Sequence, residues 1–150
     1  MPAGDNEITF GNIMRSKFGN TCLNGKRVFN LKIPGHDKVT ISVDQSIILK
    51  DGRTVLIEID SANMAKLVSG QYALLNGMYD NDRSKCLFLV LHYYVAYNPK
   101  RTIKNLKAIQ HFNENSEWIP FAAYHIIEFE KLIDSVDSLE ELVDKIWPNN

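Results

Sequence analysis

Cysteine is scarce in this chain. Cys22 and Cys86 are the only two in 150 residues, and they form no CxxC pair. That excludes a disulfide framework and makes a reducing compartment the expectation. Long apolar runs are missing too, none approaching the ~18 residues that a membrane helix needs. The first residues, Met1-Pro-Ala-Gly-Asp, are polar and carry no charged-then-apolar signal. A cytoplasmic, soluble protein with no membrane partner is expected. Nor is there a basic excess. Seventeen Lys and Arg stand against eighteen Asp and Glu, a formal charge of −1, whereas an autonomous, high-affinity nucleic-acid binder carries a strongly positive balance. Nucleic-acid binding would need a local patch or a partner subunit. No glycine-rich phosphate loop occurs, Gly19, Gly25 and Gly35 reading as turn residues, and there is no repeat or low-complexity tract. What is present is a 45% apolar, 23% charged chain without a composition shift. The reading is one domain over residues 1–150, large enough to bury a core.

Residues 6–18 place Ile8, Phe10, Ile13, Met14 and Phe18 at roughly helical spacing after Asp5 and Asn6, which suit N-caps, and Gly19-Asn20 ends the segment. Arg27 to Ile33 reads as a strand stopped by Pro34-Gly35. Val39, Ile41 and Val43 alternate with Thr40, Ser42 and Asp44, and the apolar run continues through Ile47, Ile48 and Leu49. Asp51-Gly52 is a hairpin turn signal, followed by the β-branched run Thr54 to Asp60. Two antiparallel strands are therefore expected. A helix over 63–79, capped by Ser61 or Asn63, carries Met64, Leu67, Val68, Tyr72, Leu75 and Tyr79 along one side. Asp80 to Arg83 is a loop. Cys86 to Val95 is a continuous apolar run that suits a strand buried on both faces. A basic helix over 100–112, a short strand at Trp118 to Ala123, and helices at Ile126–Ile133 and Ser138–Ile146 complete the chain, with Ser138 at a cap and Glu140 and Glu141 in the first turn. The order predicts an α/β fold, a mixed β-sheet flanked by helices.

The hairpin carries the chemistry. Residues two apart on a strand share a face, so Glu58 and Asp60 point together, away from Val55, Ile57 and Ile59. A turn centred on Asp51-Gly52 brings Asp44 opposite residues 58 to 60. Three carboxylates on a sheet of Val and Ile repel one another and are costly to desolvate. The arrangement makes sense around a cation, and hard oxygen ligands of this sort suit magnesium. The alternative is a solvated acidic face on which Asp60 simply ends the strand near a helix N-terminus.

Asp44, a thirteen-residue interval containing a hairpin turn, and then Glu58-Ile59-Asp60 followed by a helix resemble the PD-(D/E)XK nuclease superfamily, which includes most type II restriction endonucleases. The resemblance spans roughly residues 6–125 and includes the order helix, antiparallel strands, helix, strand. Ile119-Pro-Phe and the segment from His125 also resemble the closing strand and helix of small members. It implies a restriction-endonuclease-like core, with Asp44 and Glu58 as metal ligands and the Ile59 carbonyl completing the protein's share. Gln71 and Tyr72 then resemble polar positions near the scissile phosphate, and Glu7 an acidic residue of the first helix. The family's lysine is replaced by Asp60. Lys66, early on the following helix, is its candidate substitute, or a solvated helix lysine. The implied reaction is magnesium-dependent hydrolysis of DNA phosphodiester bonds, with manganese as a substitute ion.

Lys100, Lys104 and Lys107 share a helix face beside Arg101, a stripe that either tracks the backbone of double-stranded DNA or is a solvated surface. Arg15, Lys17, Lys26 and Arg27 form a second basic cluster near the first helix, which either contacts DNA or has no such role. His36, His92, His111 and His125 show no ligand spacing, and His92 reads as a core histidine. Tyr93, Tyr94 and Tyr97 read as packing residues in preference to a stacking surface. The expectation is a restriction-type endonuclease acting as a homodimer, or as the cleavage subunit of a larger DNA-recognition partner. A catalytically inactive nuclease-fold binding or assembly module is the first rival, and a metal-free interaction domain with an acidic face the second. DNA against RNA is left open.

Overall fold

A computed structural model describes residues 3–148. The elements run α1 (Ala3–Phe18), β1 (Arg27–Leu31), β2 (Val39–Val43), β3 (Gln45–Ile48), β4 (Thr54–Asp60), α2 (Ala65–Met78), a 3-10 turn (Arg83–Lys85), β5 (Cys86–His92), α3 (Lys100–Phe112), β6 (Phe121–His125), α4 (Ile126–Ser135) and α5 (Leu139–Ile146). The expected α/β architecture, a mixed sheet flanked by helices, is present. Four strands lie in the order β3-β4-β5-β6, and β1 and β2 form a separate two-stranded ribbon.

The hairpin between β3 and β4 is antiparallel, in a register that pairs Gln45 with Ile57. Its turn is local chemistry. Gly52 takes a φ of +94°, a region open to glycine at little cost, and the Asp51 carboxylate accepts the Arg53 N–H at 3.0 Å. The expected single run from Val39 to Leu49 is broken at Asp44, where residues 39–43 leave to pair with β1 and residues 45–48 pair with β4. The strand expected over 86–95 ends at His92, and the last strand lies two to three residues later than its apolar pattern suggested. Neither expected cap holds α2. Its N-cap, Met64, makes no side-chain hydrogen bond, while Ser61 accepts Asn6 and Asn63 accepts Arg101. Asp5 and Asn6 fall within α1 itself. Ser138 does cap α5, accepting the Glu141 N–H at 3.1 Å.

β4, β5 and β6 are parallel. Right-handed crossovers then put α2 and α3 on the same face of the sheet, leaving the other to α1, α4 and α5. Each face has its own core. Val55, Ile57, Ile59, Leu87, Leu89 and Leu91 pack with Phe10, Met14, Phe129 and Leu142. Leu56, Phe88 and Val90 pack with Val68, Tyr72, Leu75 and Leu106. Every residue of β5 is buried, which is why its sequence is continuously apolar until His92. No helix among the described residues is long and apolar enough to cross a membrane.

Candidate functional site

The alternation along β4 turns Glu58 and Asp60 to the α2 face, as the pattern required, with Val55, Ile57 and Ile59 on the other. The β3–β4 register, carried one step past Gln45, sets Asp44 opposite Glu58. Asp44 is thus the residue at which one strand ends and the next begins, and its Oδ2 accepts the Ile59 N–H at 2.8 Å. In extended backbone the N–H and C=O of one residue point to the same edge. The Ile59 carbonyl therefore shares the edge on which Asp44 stands.

Glu58 is the most perturbed acid of the site. Its Oε2 accepts one hydrogen bond, from Gln71 Nε2 at 2.9 Å, and the same amide donates to the Ser42 carbonyl at 2.8 Å. Burial above all, opposed by the Gln71 bond and helped by the charges of Asp44, Asp60 and Glu7, pushes the Glu58 carboxyl up to about 8. Glu7, on the exposed side of α1, is also raised, by burial first, then by the charge of Asp44 and a hydrogen bond with it, while Lys26 pulls it back. Glu7, Asp44 and Glu58 thus form one electrostatic group drawn from α1, the β2–β3 bend and β4.

Asp60 does not belong to that group in the role expected of it. Its Oδ2 meets His92 Nδ1 at 2.9 Å, and its Oδ1 accepts the Ala62 N–H at 3.2 Å. The contact continues inward, with His92 Nε2 2.8 Å from the Thr102 hydroxyl and that oxygen 2.7 Å from the Tyr97 hydroxyl. A carboxylate on one side calls for a donor at Nδ1, leaving Nε2 to accept from Thr102, whose oxygen takes the Tyr97 hydroxyl. The His92 ring lies flat on Tyr97, centroids 4.0 Å apart. His92 is the satisfied core histidine expected, and Asp60 is its partner.

Two more expected site residues, Lys66 and Tyr72, are placed elsewhere. Lys66 is exposed and lines a groove of about 560 Å³ between the start of α2 and α3, with Asn63, Met64, Leu67, Arg101 and Lys104. The lysine whose charge acts on Glu7 is Lys26. Tyr72 is fully buried. Its hydroxyl bonds the Ile119 carbonyl and accepts from Gln110 at 2.9 Å, and its ring stacks on Phe88 and Trp118. A side chain so enclosed cannot touch a substrate. Lys100, Arg101, Lys104 and Lys107 are all exposed, with Lys107 on a separate depression towards β6. Gln71, the other polar residue read from α2, lies beside Glu58, its Nε2 2.9 Å from Oε2.

Lys26 is legible in the sequence only as one of a basic cluster near the first helix, because the tertiary fold alone carries its charge to Glu7. Among the described residues no three His, Cys, Asp and Glu side chains form a ready-made metal cage. Magnesium asks for less, commonly one or two carboxylates with water and phosphate. Asp44, Glu58 and the Ile59 carbonyl make a hard-oxygen set of that kind. No protein-family model matches this chain, and neither a curated protein nor a solved structure matches it.

Proposed function

We propose that this chain is a metal-dependent phosphodiesterase of the restriction-endonuclease type, acting on DNA at Glu58, Asp44 and the Ile59 carbonyl. The observation that carries the reading is the state of Glu58, a desolvated carboxyl among three other acids, held by a single amide donor. Such a group takes up either a proton or a cation. A magnesium or manganese ion held there would neutralise phosphate charge and acidify a bound water. Gln71 fixes the Glu58 carboxyl, and the Ile59 N–H fixes that of Asp44, so both acids are oriented beforehand and lose little freedom on binding. Glu7 flanks them as a carboxyl able to hold a proton, and Lys26 is the nearby cation suited to phosphate charge. Cutting both strands requires two such sites, hence a homodimer or a larger DNA-recognition partner.

One observation favours a second reading, an inactive nuclease-fold binding or assembly module. Asp60 is committed to His92, and Lys66 faces the Arg101–Lys104 groove. Plasmid nicking under magnesium or manganese titration separates the two. Cleavage that disappears in both Asp44→Ala and Glu58→Ala supports the enzyme. Metal binding without cleavage, lost in the same variants, selects the inactive module. Absence of metal binding sinks both.

A further inference from the structure

The chain is nearly neutral, yet its charge is unevenly placed. Residues 26–43 carry Lys26, Arg27, Lys32 and Lys38 against the single acid Asp37, a local balance of +3 that leaves the remainder at −4. This segment is the β1–β2 ribbon. It belongs to its own two-stranded sheet, and all residues from 31 to 38 are exposed. At its root Phe29 and Ile41 pack against the core beneath α2, with the Phe29 and Tyr79 rings 6.0 Å apart. The opposite face holds the cross-strand pairs Val28–Ser42 and Asn30–Thr40. Thr40 donates to Asn30 Oδ1 at 2.7 Å, which leaves the Asn30 amide N–H groups free to donate elsewhere.

We propose that this ribbon is an arm that enters the major groove of duplex DNA, setting Asn30 and Thr40 against base edges and Lys32 and Lys38 against phosphates. The major groove of B-form DNA, about 12 Å wide, admits a two-stranded ribbon, and asparagine and threonine are side chains suited to its donor–acceptor pattern. Lysines near the tip supply sequence-independent attraction to the phosphates on either side of the groove, separate from the basic stripe of α3. The deep, narrow major groove of A-form RNA admits no such element. The root of the arm is tied to the candidate site, since β2 runs directly into Asp44 and Gln71 joins the Ser42 carbonyl to Glu58. The inference says how duplex would be held at the proposed site and rests on that reading for its functional sense.

The test is anisotropy of a labelled duplex of about 30 base pairs, titrated with the full chain in EDTA so that no cleavage intervenes. Native protein is expected to bind DNA, with affinity falling steeply with salt. Lys32→Ala/Lys38→Ala should weaken binding roughly tenfold or more and lower the slope of log affinity against log salt by about 2. Asn30→Ala should relax the sequence preference recovered from randomised duplexes by roughly five- to a hundredfold at one position. These side chains are exposed, and unchanged thermal melts would show the variants folded. Unaltered binding in the lysine variant, equal affinity for duplex RNA, or no binding by the native chain would each overturn the arm. DNA binding through the arm without metal binding or cleavage would overturn the nuclease reading alone.

Discussion

Glu58 ties the chemistry of the site to the stability of the chain. Its folded value, about 8, stands above the ordinary carboxyl value of 4.5, so the folded chain holds this proton more tightly than the unfolded one. The resulting stabilisation is complete below 4.5 and is lost as pH rises through about 8. Denaturant midpoints for the metal-free protein should therefore fall across that interval. Glu58→Gln, which keeps the shape and cannot ionise, should show a flatter profile and gain on the native chain at the alkaline end. Equal pH slopes for the two proteins would mean that Glu58 is not desolvated.

At the scale of elements, the Asp60–His92–Thr102–Tyr97 chain links β4, β5 and α3 across a buried path. His92→Phe removes one partner each from the Asp60 carboxylate and the Thr102 hydroxyl, a loss of roughly 2–4 kcal/mol. Urea unfolding should report that loss, while manganese binding at Asp44 and Glu58 should persist. Manganese affinity lost in a folded His92→Phe protein would return Asp60 to the ligand set. The same elements show what sequence could and could not reveal. The β3–β4 hairpin was legible because its turn is local, Asp51 and Gly52 being adjacent, and β5 because burial on both faces leaves an unbroken apolar run. The break at Asp44 was not, since Val39, Ile41 and Val43 alternate straight into Ile47, and the choice of pairing partner is a tertiary matter. Two strands and a face were enough to bring Asp44 and Glu58 together. The Asp60–His92 contact spans 32 residues, and the direction of Lys66 depends on the rotation of α2 about its axis. Spacing encodes neither.

Across the whole molecule, Glu58 and the three acids around it would make metal uptake at the proposed site a proton-linked process. Glu58 and Glu7 are both raised, so a divalent cation must displace protons near neutrality. Calorimetry in two buffers of different ionisation heat should show about one proton released per manganese at neutral pH, with affinity climbing as pH approaches 8. Binding without proton release would move the ion elsewhere. The same acids make their own surface repel a polyanion, which leaves the positive ribbon and the basic stripe of α3 as the parts able to approach one first.

The break at Asp44 has a mechanical side. A single residue joins the ribbon to the four-stranded sheet on the β2 side, so their relative orientation on that side turns on two backbone torsions. The bond from the Ile59 N–H to the Asp44 carboxylate acts as the pin of that joint. An ion drawn to the same carboxylate would stiffen it, and a load on the arm would be felt at the ion. Reciprocity then requires that duplex tighten metal binding by the same factor by which metal tightens duplex binding.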